Sequence, residues 1–263
     1  MNKKLIRILS LALAIVMLFS LCSCDTYEEE EEEIKYASEV PSGKDAIVAR
    51  FNDVIASAKN EKPAISYSLK QGTGGCDCEN QYVKASFKTV AKMITGEKFG
   101  NSTEYGADTT DIFPLMGSAN PAVLSSSDVR SAVITDNAND ATYTILIKIN
   151  PEKNPEQGKG VYGKLYQITK DEDILKNFDI VKDLMTVGGY SAEYGIGTVK
   201  AVINKTTDHI VKLELSRDVR VETEVTGQGT LASVGTVPLA FNYNSTANYD
   251  LDWDNPATDD IEA

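Results

Sequence analysis

Histidine is almost missing from this chain of 263 residues: His209 stands alone. One imidazole cannot build a multi-histidine metal centre, and the HExxH helix motif is absent. No serine sits in a GxSxG elbow and none has a lysine three positions on, so the common serine-nucleophile patterns are missing too. The glycines of Gln71-Gly72-Thr73-Gly74-Gly75 lack the Lys-Ser/Thr of a phosphate loop and are read as backbone freedom in a turn. Positive charge is scarce: 26 Lys and Arg stand against 39 Asp and Glu, a net charge of −13. Like charge repels, so neither nucleic acid nor an anionic surface is expected as a partner. Long apolar runs are lacking as well. Ile8 to Leu21 spans 14 residues and is broken by serines, too short to cross a bilayer comfortably. These absences assign no catalytic residue, no metal and no cofactor, and the chain reads as a non-enzyme.

The N-terminus has a pattern of its own. Lys3, Lys4 and Arg7 precede the apolar run, which has the length of a signal-peptide core. Leu21-Cys22-Ser23-Cys24 follows. A small residue should precede the cut, which disfavours Cys22 after Leu21 and favours Cys24 after Ser23. The stretch resembles the lipobox of bacterial lipoproteins. That resemblance implies residues 1–23 as signal peptide, diacylation of Cys24, and a protein lipid-anchored on the outer face of the cytoplasmic membrane. Asp25 resembles an inner-membrane retention signal. The rival reading is an ordinary cleaved signal beside a coincidental cysteine. Two acyl chains hold a protein stably on a bilayer where one does not. Loss of the three basic signal residues takes the net charge from −13 to −16. Residues 24–42 read as a lipidated tether. The six carboxylates Glu28–Glu33 repel one another and extend the chain. The 18 residues Asp25–Ser42 reach at most about 60 Å when stretched.

Residues 43–263 suffice for one domain with a real core, the arrangement expected, or for two small lobes, 43–121 and 122–263. Asp45–Asn60 reads as a helix, with Ile47, Val48, Phe51, Val54, Ile55 and Ala58 on one stripe and Pro63 beyond its end. Ala64–Gln71 reads as a strand and Tyr82–Thr95 as a helix. Residues 95–121 have no sustained period and read as a long loop. Ser127 is expected to cap a short helix. Thr142 onward alternates as a strand through Tyr143, Ile145, Ile147 and Ile149. Val161–Thr169 is expected as a strand and Asp171–Met185 as a third long helix. A β-meander then occupies 197–253, with strands at Thr198–Ile203, Ile210–Leu215, Val219–Val225, Val237–Tyr243 and Ala247–Trp253.

Consecutive strands joined by tight turns imply an antiparallel sheet. The expected class is α+β, a curved antiparallel sheet with helices packed on one face. With the anchor, the order of elements over residues 140–253 looks like the LolA/LppX-like lipoproteins. That resemblance implies a hydrophobic cavity between sheet and helices, holding a lipid or another apolar ligand. Its candidate lining is Tyr143, Ile145, Ile147, Tyr166, Phe178, Tyr249 and Trp253. A monomer is expected.

Three smaller constellations remain. Cys76 and Cys78 are a candidate disulfide in an exported protein, with free or intermolecular thiols and a redox or soft-metal pair as rivals. Asp250, Asp252 and Asp254 resemble the opening of a calcium loop. However, Asn255 stands where glycine belongs and Ile261 where the closing Glu belongs, and an amphipathic strand explains the same residues. His209 reads as a solvated turn residue. Three functional readings follow: a ligand- or lipid-binding lipoprotein, a non-enzymatic scaffold of the cell envelope, and a redox or metal protein centred on Cys76 and Cys78.

Overall fold

Six apolar side chains recurring at helical spacing force the first element. In the computed structural model, helix α1 (Lys44–Glu61) buries Ile47, Val48, Phe51, Val54, Ile55 and Ala58, the stripe expected from the sequence. It ends at Lys62, whose left-handed backbone (φ 56°) lets its N–H reach the Ala58 carbonyl, and Pro63 stops further winding. The structure describes residues 37, 39–99, 102–109, 112–115, 123–137, 140–168 and 179–254. All of them belong to one compact unit, Lys35–Ala263. Cys24 and Phe178 lie outside the described residues, as does most of the helix expected at Asp171–Met185.

The chain continues through β1 (Ala64–Asp77), α2 (Gln81–Ile94), β2 (Gly96–Phe99), β3 (Val129–Asn137), β4 (Thr142–Ile149) and β5 (Glu152–Lys153). Then come α3 (Gly160–Leu165), a 3-10 turn at Asp179–Val181, β6 (Met185–Tyr194), β7 (Thr198–Asn204), β8 (Ile210–Gly227), a 3-10 turn at Gly229–Val234, and β9 (Thr236–Asp252). Every strand pair is antiparallel. The sheet order is β2-β1-β9-β8-β7-β4-β3 and the sheet is not closed. Strand outweighs helix, so the class is α+β of a β-rich kind. Helix α1 contacts β3, β4 and β8, and α2 contacts β1.

Strand β8 organises the sheet. On one side it pairs with β9 along almost its whole length. On the other, its first half pairs with β7 and its second half with β6. The neighbour changes across Gly195-Ile196-Gly197, which joins β6 to β7. A Cβ at Gly197 would meet the Tyr162 hydroxyl at 2.7 Å, so only glycine lets that corner pass the ring.

Several elements differ from the sequence expectation. β1 does not stop at Gln71. Its glycines form no turn but lie within the strand, where a register shift between Thr73 and Cys76 marks a bulge against β9. The loop expected over 95–121 begins with β2, which pairs with β1, and Thr103 bridges to Ile65. Ser127 caps no helix; it lies in a turn that enters β3, an edge strand whose outward residues hide the alternation. Val161–Leu165 is helix α3 rather than strand, packed so closely that a Cβ at Gly163 would meet the Glu156 carbonyl at 1.8 Å. Met185 opens β6 instead of closing a helix. The pair Gly188-Gly189, which looks like a loop, sits at a bulge between Val187 and Tyr190. The meander has two long strands, β8 and β9, where four short ones were expected.

Candidate functional site: a buried arginine among tyrosines

The two merged strands share one feature. In β8 the residues at 213, 215, 217, 219, 221, 223 and 225 are all buried, and one of them is Arg217. Its cross-strand partner in β9 is Ser245, also buried. The polar triplets Ser216-Arg217-Asp218 and Asn244-Ser245-Thr246 therefore lie opposite each other, in register, and place a guanidinium and a hydroxyl on the apolar face of the sheet.

Arg217 is 8 % exposed. Its Nε donates to the Ser245 hydroxyl at 3.0 Å and its Nη2 to the Gln167 carbonyl at 3.2 Å. The guanidinium carbon lies 5.1 Å from the centroid of the Tyr166 ring and 5.5 Å from that of Tyr194, within cation–π range. Nη1 is buried and makes no hydrogen bond. Among the described residues Arg217 makes no ion pair with a carboxylate. Buried Lys205, by contrast, is paired with Asp136.

The tyrosines around this cation hold one another. Tyr162 stacks on Tyr166 (centroids 5.1 Å apart) and leans on Tyr194 (4.9 Å). Tyr162 donates to the Gly195 carbonyl at 2.6 Å, and Tyr166 to the Ser216 carbonyl at 2.9 Å. Tyr249 meets Tyr67 at 4.9 Å and the edge of Phe113 at 5.6 Å. Burial pushes the phenols of Tyr162, Tyr166, Tyr249 and Tyr67 above their ordinary range, and the charge of Arg217 draws each of them partly back. Toward β1 the cover thins. Tyr67, Leu69 and Gln71 of β1 alternate on the buried face beside β9, yet they and Tyr243 are only half-buried, and Gln71 hydrogen-bonds the Tyr243 hydroxyl.

The structure divides the expected cavity lining. Tyr166 and Tyr249 belong to the tyrosine cluster just described. Ile145 and Ile147 have no accessible surface, and a side chain with none touches no water-sized void, so they are solid core. Tyr143 is 2 % exposed in the same strand, with its buried hydroxyl lacking a hydrogen bond. Trp253 lies elsewhere: its indole stacks on His209 at 3.7 Å and donates to the Ile210 carbonyl at 2.8 Å. His209 is thereby half-buried rather than solvated, with Glu61 3.6 Å away.

Cys76 and Cys78 are unbridged at the end of β1, beside an open hollow of about 770 Å³ that Asp77, Asn80 and Lys84 also line. Burial first, then the neighbouring Cys78, raises the Cys76 thiol above its ordinary range, which disfavours the reactive thiolate. Asp250 pairs with Lys212 at 3.7 Å, and Asp252 accepts from the backbone of Asp254. Among the described residues no three His, Cys, Asp or Glu side chains converge as a metal site, and no helix is long and apolar enough to cross a membrane.

Arg217 and Ser245 escaped the sequence reading, although the signal was there: a polar triplet interrupting each of two alternating runs, taken for a strand break. In comparison with known proteins, no protein-family model, no curated protein and no solved structure matches the chain.

Proposed function

We propose that this chain is a membrane-anchored extracytoplasmic lipoprotein whose folded part binds an apolar or amphiphilic ligand, with no chemistry of its own. The lipobox at Leu21–Cys24 supports the anchor, and the acidic run Glu28–Glu33 supports a stand-off from the membrane. The observation that carries the binding reading is the thinning cover over β1 and β9. There Tyr67, Leu69 and Tyr243 share the face of the core and stay partly exposed beside the cluster of tyrosines. Aromatic surfaces with a few placed polar groups are the usual lining of small-molecule sites. In this reading the sheet curves, and helices cover one face of it up to that strip.

The test is native mass spectrometry of the mature chain, residues 24–263, carrying Cys24→Ser so that no acyl chain confuses the spectrum. A co-purified ligand of fixed mass and unit stoichiometry is expected, lost when Tyr67 and Tyr243 are both changed to Ser. A protein that emerges empty after expression in its envelope setting, and that takes up no single-chain amphiphile, overturns the binding reading. The anchor has a separate readout. Cys24→Ala should move the protein from the membrane to the soluble fraction; unchanged membrane fractionation would refute lipidation.

A second reading has its own observation. β3 ends the sheet order, pairing with β4, and Val133 on it is 50 % exposed. An exposed strand edge can accept a partner strand, as a scaffold would use it. Val133→Lys should then abolish partner capture and leave ligand binding intact.

A further inference from the structure

We propose that Arg217 is an anion site that takes the carboxylate headgroup of a single-chain amphiphile, the class of ligand that the half-exposed tyrosine strip receives. This rests on the binding reading above and deepens it. A guanidinium presents five N–H donors in a planar fork. Arg217 uses two of its donors, on Ser245 and Gln167, and its buried Nη1 has none to meet. A cation more than nine-tenths buried, with no carboxylate partner among the described residues, is costly to hold, because an unpaired charge loses its hydration. Such a group calls for an explanation, and a ligand that supplies the missing acceptor is one.

The position suits that role. Arg217 lies on the sheet face next to Ser245, and beyond Ser245 in the same row stands Gln71 of β1, in the half-exposed strip. A ligand whose chain lies over Tyr67 and Leu69 of β1 and reaches Tyr243 of β9 thus has its polar end on the strand next to that of the guanidinium. The two hydrogen bonds that hold Arg217 go to a neutral hydroxyl and a neutral carbonyl, so a charged acceptor outcompetes both.

The chemistry of the headgroup follows from the charge count. Among the described residues the buried cations near the core are Arg217 and Lys205, and Lys205 is paired with Asp136. One free positive charge neutralises one negative charge. A carboxylate matches it and also fits the planar fork in bidentate fashion. A phosphate dianion would leave a net buried negative charge among the tyrosines. An uncharged alcohol or ester of equal chain length would leave Nη1 as it is.

The experiment uses the mature chain with Cys24→Ser and two probes of equal length, dodecanoate and dodecanol, titrated below micelle formation and followed by calorimetry. Dodecanoate is expected to bind at least tenfold more tightly than dodecanol. Arg217→Met should remove that preference, bringing the affinity for dodecanoate down to that for dodecanol. Ser245→Asp guards against a variant that does not fold, because it places a carboxylate beside the guanidinium instead of removing the cation. That variant is expected to melt at a higher temperature than the parent and to lose dodecanoate while keeping dodecanol. Equal affinity for the two probes, or a Ser245→Asp protein that still prefers dodecanoate, overturns the headgroup assignment and leaves the apolar binding reading standing. Failure of the parent to bind either probe overturns both.

Discussion

A buried polar atom without a partner carries its whole desolvation cost, and Tyr143 shows this apart from any function. Its ring in β4 is 2 % exposed, and its hydroxyl has no hydrogen bond. The ring contributes packing, while the oxygen adds only a penalty on the order of 1–3 kcal/mol. Tyr143→Phe keeps the ring and removes the oxygen. It is therefore expected to raise stability by about 1 kcal/mol, seen as a higher urea midpoint with an unchanged slope. A lower midpoint would mean that the hydroxyl has a partner, such as a buried water. Arg217 differs from Tyr143 in kind: its unmet donor belongs to a full charge and stands one strand from a half-exposed strip. Fork geometry and charge make it a site, whereas Tyr143 is a packing compromise.

Among the helices, α2 has the clearest start signal. Asn80 at its N-cap accepts from the backbone N–H of Tyr82 at 2.9 Å and of Val83 at 3.2 Å, meeting two of the donors that a helix leaves open. The helix then buries Val83, Phe87 and Val90, and Phe87 meets Phe241 of β9 at 4.9 Å. Asn80→Ala should cost about 1 kcal/mol, measurable as a lower denaturation midpoint, whereas Asn80→Asp or Asn80→Ser should restore most of it. Both α1 and α2 were legible because each shows several turns of one apolar stripe. Helix α3 was not, since at six residues the chain shows less than two turns of any period. Strand β3 was hidden for another reason: most of its residues face solvent, so alternation has nothing to mark. The candidate site was half legible. Tyr166 and Tyr249 stood out as aromatics in the right region. Arg217 and Ser245 did not, because a polar residue inside an apolar run reads as a turn until its cross-strand partner is known.

The molecule as a whole gathers phenols in its interior, and that sets its behaviour in alkali. Burial raises the phenols of Tyr67, Tyr143, Tyr162, Tyr166 and Tyr249 above the ordinary value of 10.0. A group whose folded pKa lies above its unfolded value stabilises the fold fully below the unfolded pKa. That contribution is lost as pH climbs from the unfolded value toward the folded one, because the unfolded chain releases its proton first. The window therefore opens near pH 10 and extends upward. Tyr166 and Tyr249 are the most deeply held, and each removes about 1.4 kcal/mol per pH unit within the window. Lys59 works in the opposite sense. Burial lowers its pKa from 10.5, so its cost is relieved as pH rises toward that value, but it is a single half-buried group. The phenols outnumber it, and a domain whose whole stability is roughly 5–15 kcal/mol cannot withstand them far above pH 10. Alkaline unfolding is expected as one cooperative step, with phenolate absorbance and loss of far-ultraviolet ellipticity rising together. Tyr166→Phe should make that transition shallower by one proton. Gradual phenolate formation at constant ellipticity would show instead that the tyrosine cluster opens to water without unfolding, and that the strip beside Arg217 is already a solvent-filled groove.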